Sequence, residues 1–245
     1  MCRYVSLILR TYIGKDDVFM LGFFNEDNFL YIFLMKVWDL VLMNLLFVVC
    51  CIPVITIGPA FTAMYTCTLK MVKGNHIGTF KTFWRAFKLN FKQSLAAWIG
   101  ILAVSFILWT NYNFLKVQGG SVAEMLFYIT LVFVVLLFAY SIYIFPVIAA
   151  FEGTMKMQLR NAFVFFMKHF VKTILMTLLS GLAILITFWD VQLQPLYVFC
   201  WFFFLFAVLA YINSHWLYKM FKPYLPEEEE PEMDRYIDDG GAYLP

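Results

Sequence analysis

Few residues in this chain of 245 have the types and spacing that chemistry requires. Cys2, Cys50, Cys51, Cys67 and Cys200 form no Cys-x-x-Cys pair and lie mostly in apolar runs, where packing is their expected role. His76, His169 and His215 stand apart, and the first two sit in basic segments that would repel a metal ion. There is no His-Glu-x-x-His, no phosphate-binding Gly-x-x-x-x-Gly-Lys and no nucleophile-elbow pattern. No catalytic residue, metal ligand or cofactor is therefore expected, and the chain reads as non-enzymatic. Lys36 and Asp39, three residues apart on one helical face and able to pair, are the ionisable groups placed to serve ion or proton coupling. As a pair near the end of an apolar run they also fit an interfacial couple. Asn44 is the strongly polar side chain inside that run; a helix–helix hydrogen bond is one role for it, the wall of a pathway another.

The elements that would position these residues are set by composition. The chain is 63% apolar, 20% aromatic and 14% charged, against about half apolar and about a quarter charged in an average soluble domain. A soluble domain of this size lacks the interior to hide so much apolar surface. The expected fold is all-α: a polytopic helical membrane protein. A spanning helix needs roughly 20 apolar residues. Residues 95–115, 122–149, 173–189 and 196–213 meet that length, and none shows the dyad alternation of a membrane β-barrel.

The first apolar zone, residues 29–72, is interrupted by Pro53, Gly58 and Pro59, which no undisturbed helix accommodates. One full span followed by a short broken or re-entrant piece is the favoured reading. That makes about five transmembrane helices, or six if residues 60–71 also cross.

Charge gives the orientation. Lys70, Lys73, Lys81, Arg85, Lys88 and Lys92 lie between Thr68 and Ser94 with no acid among them. Lys156, Arg160, Lys168 and Lys172 accompany Glu152 between Phe151 and Thr173, whereas the alternate connections are nearly bare. The positive-inside bias then places both basic segments and the C-terminus in the cytoplasm. Five spans would put the N-terminus outside, and a sixth would bring it in. The net charge of +2 divides into a basic body and the segment Tyr224–Pro245, which holds 8 acids against Arg235 alone. Residues 226–245 read as an acidic, disordered tail.

Both basic segments are amphipathic, giving two expected cytoplasmic helices. Phe80, Trp84, Phe87 and Phe91 step by four, three and four, and Lys81, Arg85, Lys88 and Lys92 follow one residue behind. Leu159, Phe163, Phe166 and Phe170, with Arg160 among them, repeat the arrangement more loosely. Such helices suit anionic lipid head groups or a docked membrane partner. Pro53-Val54-Ile55 recurs as Pro146-Val147-Ile148, each at the expected inner end of an odd-numbered span, as a same-direction duplication would have it.

The stretch from Met43-Asn44-Leu45-Leu46-Phe47 through Pro53-Val54-Ile55-Thr56-Ile57-Gly58-Pro59-Ala60 resembles the YesL-like family of bacterial integral membrane proteins, a domain of unknown function. Thr82-Phe83-Trp84-Arg85-Ala86-Phe87, Asn90-Phe91-Lys92-Gln93-Ser94, the opening Phe23-Phe24-Asn25-Glu26-Asp27-Asn28 and the closing Phe221-Lys222-Pro223-Tyr224-Leu225 are similar to it as well. The likeness covers residues 20–225, a single transmembrane domain, and makes residues 1–19 an N-terminal extension before the family's usual start. It implies a bacterial cell-membrane location and an accessory or permease-like role beside carbohydrate ABC importers. The coupling-loop signature of importer permeases is absent, Phe151-Glu152-Gly153 being a poor substitute, which favours a subunit that packs against a permease. The expected partners are membrane lipids and either ABC permease subunits or further copies of the chain, not nucleic acid. The second reading is a stand-alone transporter or channel whose broken first helix lines a pathway with Asp39, Asn44, Pro53, Gly58 and Pro59.

Overall fold

The computed structural model describes residues 29–74, 78–118, 120–189 and 192–225. The N-terminal extension 1–19, the motif at 23–28, His76 and the acidic tail 226–245 lie outside the described residues. Among the described residues every regular element is helical. Helix α1 spans Phe29–Cys51, α2 Ile57–Lys73, α3 Thr79–Gln118, α4 Ser121–Ala150, α5 Met155–Lys168 and α6 Phe170–Trp189. After a short turn come α7, Gln194–Cys200, a π-helical turn, Trp201–Leu205, and α8, Phe206–Phe221. Five stretches are long and apolar enough to cross a bilayer: α1, α3, α4, α6 and the run from Gln194 to Tyr224. The molecule is a multi-pass helical membrane protein.

The residue before a proline is pushed out of the α region, and α1 stops at Cys51 before Ile52-Pro53. A 3-10 turn, Val54–Thr56, reverses the chain. The Thr56 hydroxyl bridges the gap to the Cys50 and Pro53 carbonyls, 2.6 and 2.7 Å away. Pro59 falls in the first turn of α2, where its missing N–H costs nothing. At the other end of α2, Gly74 takes the left-handed cap at φ +94° and closes onto Lys70 and Met71.

The chain path differs from the expected alternation of spans. Phe47 packs on Phe61 and Phe206, ring centroids 4.7 and 5.0 Å apart, while Asp39 accepts a hydrogen bond from the Thr79 hydroxyl, 2.7 Å, at the start of α3. Thus α1 and α2 are the two legs of a hairpin, and α1 begins on the side where α3 begins. α8 runs parallel to α2, passing from Phe206 beside Phe61's neighbour Phe47 to Ser214, whose hydroxyl meets that of Thr68 at 2.7 Å. The hairpin tip reaches only as far as Trp98, whose indole N–H donates to the Val54 carbonyl at 2.8 Å. From Trp98 to Gln118 α3 continues for about 30 Å, at 1.5 Å per residue. The first apolar zone is therefore a helical hairpin whose tip lies beside Trp98: its first leg, α1, is long and apolar enough to cross a bilayer, as expected of one full span, and the piece after the break is the shorter helix α2. Asp39 in α1 lies beside Thr79 at the start of α3, and Tyr224 at the end of the described chain lies against Phe165 of α5.

The duplication expected of the two Pro-Val-Ile motifs is overturned by the same path. Pro53 and Pro146 lie at similar depth, since Gly58 approaches the Phe145 ring. But α1 arrives there from the basic side and α4 from the opposite one.

The expected amphipathic helix 78–93 and span 95–115 are one continuous helix of 40 residues, about 60 Å long and so twice the roughly 30 Å hydrocarbon core. No Pro or paired Gly separates Phe91 from Leu95, so nothing in the sequence breaks it. The packed core lies on the basic side, built around Met43, Phe83, Tyr143, Val147, Met176, Leu217 and Phe221. No residue from 102–137 or 178–205 belongs to it. Those two stretches form separate arms, each tied within itself: Asn111 to Thr130 at 2.8 Å, and the Trp201 indole to Thr187 at 2.8 Å.

This path is directly checkable. In a background without the five native cysteines, Lys36→Cys and Lys222→Cys should react with an impermeant thiol reagent in sealed vesicles of one orientation. Val117→Cys should react only in the opposite orientation. Labelling of positions 36 and 117 from the same side would overturn the hairpin.

Candidate functional site

Asn44 is fully buried and makes the most connected polar contact between helices. Its Nδ2 donates to the Trp201 and Phe202 carbonyls at 2.9 and 2.7 Å, and its Oδ1 accepts the Ala207 N–H at 2.9 Å. A π-turn leaves backbone groups out of the usual i to i−4 pattern, and inside a membrane protein such groups must be satisfied by neighbours. Asn44 does so for the turn Trp201–Leu205 and locks α1 to α8. Gly58 sits where α2 touches α3: a Cβ there would come within 2.6 Å of both the Ser94 carbonyl oxygen and the Trp98 Cβ. Thr62 and Ser94 share a hydrogen bond of 2.7 Å one turn away. Asp39 is engaged by Thr79 rather than by Lys36, which is exposed. Pro53 and Pro59 frame the hairpin tip. The residues proposed for a pathway wall are thus joints of the hairpin.

The basic stripe of α3 is outward. Its protein-facing side is Thr79, Phe83, Ala86, Ser94 and Ala97, offset by one residue from the expected aromatic stripe. Phe80 and Trp84 are left exposed, with Phe87 and Phe91 half-buried behind them. Lys81, Arg85, Lys88 and Lys92 are exposed beside them. Trp84 and Phe87 stack with centroids 5.6 Å apart, and the Lys88 ammonium lies 5.5 Å from the Trp84 ring centre, a cation–π geometry.

On α5 the expected stripe is also rotated. Phe166 is buried with Phe165 and Ala162, whereas Phe163, 55% exposed, and Arg160 face out. α5 is held by Phe165 against Phe221 and Tyr224, centroids 4.8 and 5.5 Å away, and by the Tyr140 hydroxyl donating to the Leu159 carbonyl at 2.9 Å. Gln93 ties α3 to the α4–α5 connection through the Gly153 carbonyl at 2.9 Å. Partial burial, and then the charges of Lys172 and Lys168, hold the His169 imidazole below its usual range, so it stays neutral at neutral pH. Among the described residues no cluster of His, Cys, Asp or Glu could hold a metal ion.

Between the two arms lies a cavity of about 660 Å³. Its walls are aliphatic and aromatic, including Trp98, Trp109, Leu131, Ile184 and Trp201, and its lining includes no charged side chain. Tyr65, Ser180 and Asn213 give it a polar end. Sequence reasoning passed over these three, as it did Phe83. The available signal was Asn213-Ser214, two polar residues ending an otherwise apolar run.

Residues 40–112 match a family model described as protein of unknown function, DUF624. No curated protein and no solved structure gives a match. The matched stretch runs from the residue after Asp39 through the Asn44 joint, the hairpin tip, Gly58 and the basic stripe of α3. Over residues 40–112 the chain carries the sequence signature of the DUF624 family of unknown function, consistent with its YesL-like resemblance.

Proposed function

We propose that this protein is a non-enzymatic membrane subunit that docks onto another integral membrane protein through the outward face of α3. By the resemblance, that partner is a permease of a carbohydrate ABC uptake system. The observation that carries the reading is the stripe itself. A helix 40 residues long buries its Phe83/Ala86 side internally and presents Phe80, Trp84, Lys81, Arg85 and Lys88 outward, in the segment that the positive-inside bias would assign to the cytoplasm. An exposed aromatic row flanked by bases suits an interface better than open solvent. No observation favours the alternative of a stand-alone transporter or channel. Asn44 and Gly58 are occupied by packing, and the cavity is too apolar for a sugar, whose hydroxyls would be left unpaired.

Arg85→Glu with Lys88→Glu should reduce recovery of co-purifying permease subunits from native membranes by at least about tenfold, as loss of two interfacial charges predicts, with membrane insertion unchanged. Normal recovery from the double variant would return the stripe to plain lipid contact. A pure homo-oligomer that moves a labelled sugar in liposomes would sink the subunit reading.

A further inference from the structure

Helices α3 and α5 carry bases but no acid. Lys81, Arg85, Lys88 and Lys92 on α3, and Lys156 and Arg160 on α5, are all exposed. Residues 226–245 hold the opposite charge, 8 acids against Arg235 alone. The acids are not a bare run, for Met233, Tyr236 and Ile237 stand among Asp234, Asp238 and Asp239. That mixture suits the α3 stripe twice: acids for its bases, and apolar side chains for its exposed Phe80 and Trp84.

The point from which the tail departs is fixed beside these helices. Tyr224 packs on Phe165 of α5, ring centroids 5.5 Å apart, and its own ring lies 5.2 Å from the Lys168 ammonium, which also donates to its hydroxyl. The other end of α5 adjoins α3, where Gln93 donates to the Gly153 carbonyl. From Phe165 back to Gly153, and then from Gln93 back to Trp84, the path is about 30 Å at 1.5 Å per residue. Tyr236, eleven residues beyond Leu225, can extend up to about 36 Å. The glutamates of 227–230 then fall along α5, and Asp234, Asp238 and Asp239 beside α3.

We infer that residues 226–245 lie along the outward faces of α5 and α3 as an intramolecular strap, covering the basic and aromatic stripe until a partner displaces it. Exposed ion pairs are individually weak. A segment tethered at Leu225 nevertheless meets the stripe at a roughly millimolar effective concentration, and several such pairs form together. The contact follows from charge, reach and the point of departure; its consequence for docking rests on the role proposed above for α3.

A water-soluble carbodiimide joins a carboxylate to a lysine amine where the two touch. On the full chain purified in neutral detergent at about 0.1 M salt, it should join Asp234, Asp238 or Asp239 to Lys81 or Lys88 within the monomer. At about 1 M salt, where the screening length falls from about 10 to about 3 Å, those links should disappear. In a background without the five native cysteines, Leu89→Cys lies within the stripe at a position 77% exposed. It should react with a neutral maleimide about fivefold faster once the eight tail acids are changed to their amides, the gain expected of a face covered four-fifths of the time. Absence of the links at low salt, or an unchanged maleimide rate, overturns the strap. Links confined to dimers overturn it too, giving the stripe to the tail of a second copy. Protection that needs phosphatidylglycerol and persists in the amide variant gives the stripe to lipid instead. These readouts use no partner, so they stand or fall apart from the permease reading. In native membranes the amide variant should recover several-fold more permease subunits than wild type; equal, non-zero recovery overturns the shielding.

Discussion

Asn44→Leu should be the most damaging single substitution in the described part of the chain. It removes two donations, to the Trp201 and Phe202 carbonyls, and one acceptance, from the Ala207 N–H. Interhelical hydrogen bonds in membranes average about 0.6 kcal/mol, with a maximum near 1.7, so three of them amount to about 2–5 kcal/mol. Leucine fills nearly the same space, which isolates the polar loss from a cavity effect. Asn44→Asp should not rescue the protein: it keeps the acceptor for Ala207 but cannot donate to two carbonyls, and it buries a charge beside them. The check is thermal unfolding in detergent, followed by Trp fluorescence and by retention as a monodisperse peak. A melting temperature for Asn44→Leu within a degree or two of wild type would show that the π-turn satisfies itself without α1.

Gly58→Ala should be nearly as costly, for a steric reason. The added Cβ would lie 2.6 Å from a backbone carbonyl oxygen, that of Ser94, and 2.6 Å from the Cβ of Trp98. Neither is the free end of a flexible side chain, so α2 and α3 must separate, stretching the Thr62–Ser94 hydrogen bond beside them. Overpacking of this kind costs about 1–3 kcal/mol, and Gly58→Leu should exceed it. The internal control is Gly100→Ala on the facing helix α3, where an added Cβ meets nothing within 4 Å. There the better helix propensity of alanine should stabilise by up to about 1 kcal/mol. Opposite signs for the two glycines distinguish close packing from a general effect of helix propensity; equal effects would remove the joint.

How far these joints were legible depends on the kind of information each needed. The all-α membrane fold and the positions of the later spans follow from hydropathy and length, and α4 and α6 match 122–149 and 173–189 closely. The break at Pro53–Pro59 was legible because proline and glycine act locally. That the second leg returns to the side from which α1 came was not, since apolar runs carry no arrow. The helical period of α3 was legible, but two adjacent stripes fit it, one of Phe80, Trp84, Phe87 and Phe91 and one of Phe83 and Ala86. Burial chose the second because small Ala86, Ser94 and Ala97 admit the close approach of α2. Asn44 was recognised as a helix–helix contact; its partners, about 160 residues away and in backbone rather than side chain, were not.

The sequence by itself determined that this is a helical membrane protein with its bases gathered on one side and its first helix interrupted. These are properties of composition and of short-range sterics, fixed residue by residue. Only the tertiary structure decided that the interrupted helix is a hairpin, that Asn44 closes a π-turn, that Phe80 and Trp84 face outward and that Asn213 meets Ser180 across α8 and α6. Each of these depends on which distant backbone comes to lie beside which side chain. In a chain that is apolar almost throughout, hydrophobic patterning cannot select that neighbour; close packing and hydrogen-bond satisfaction do.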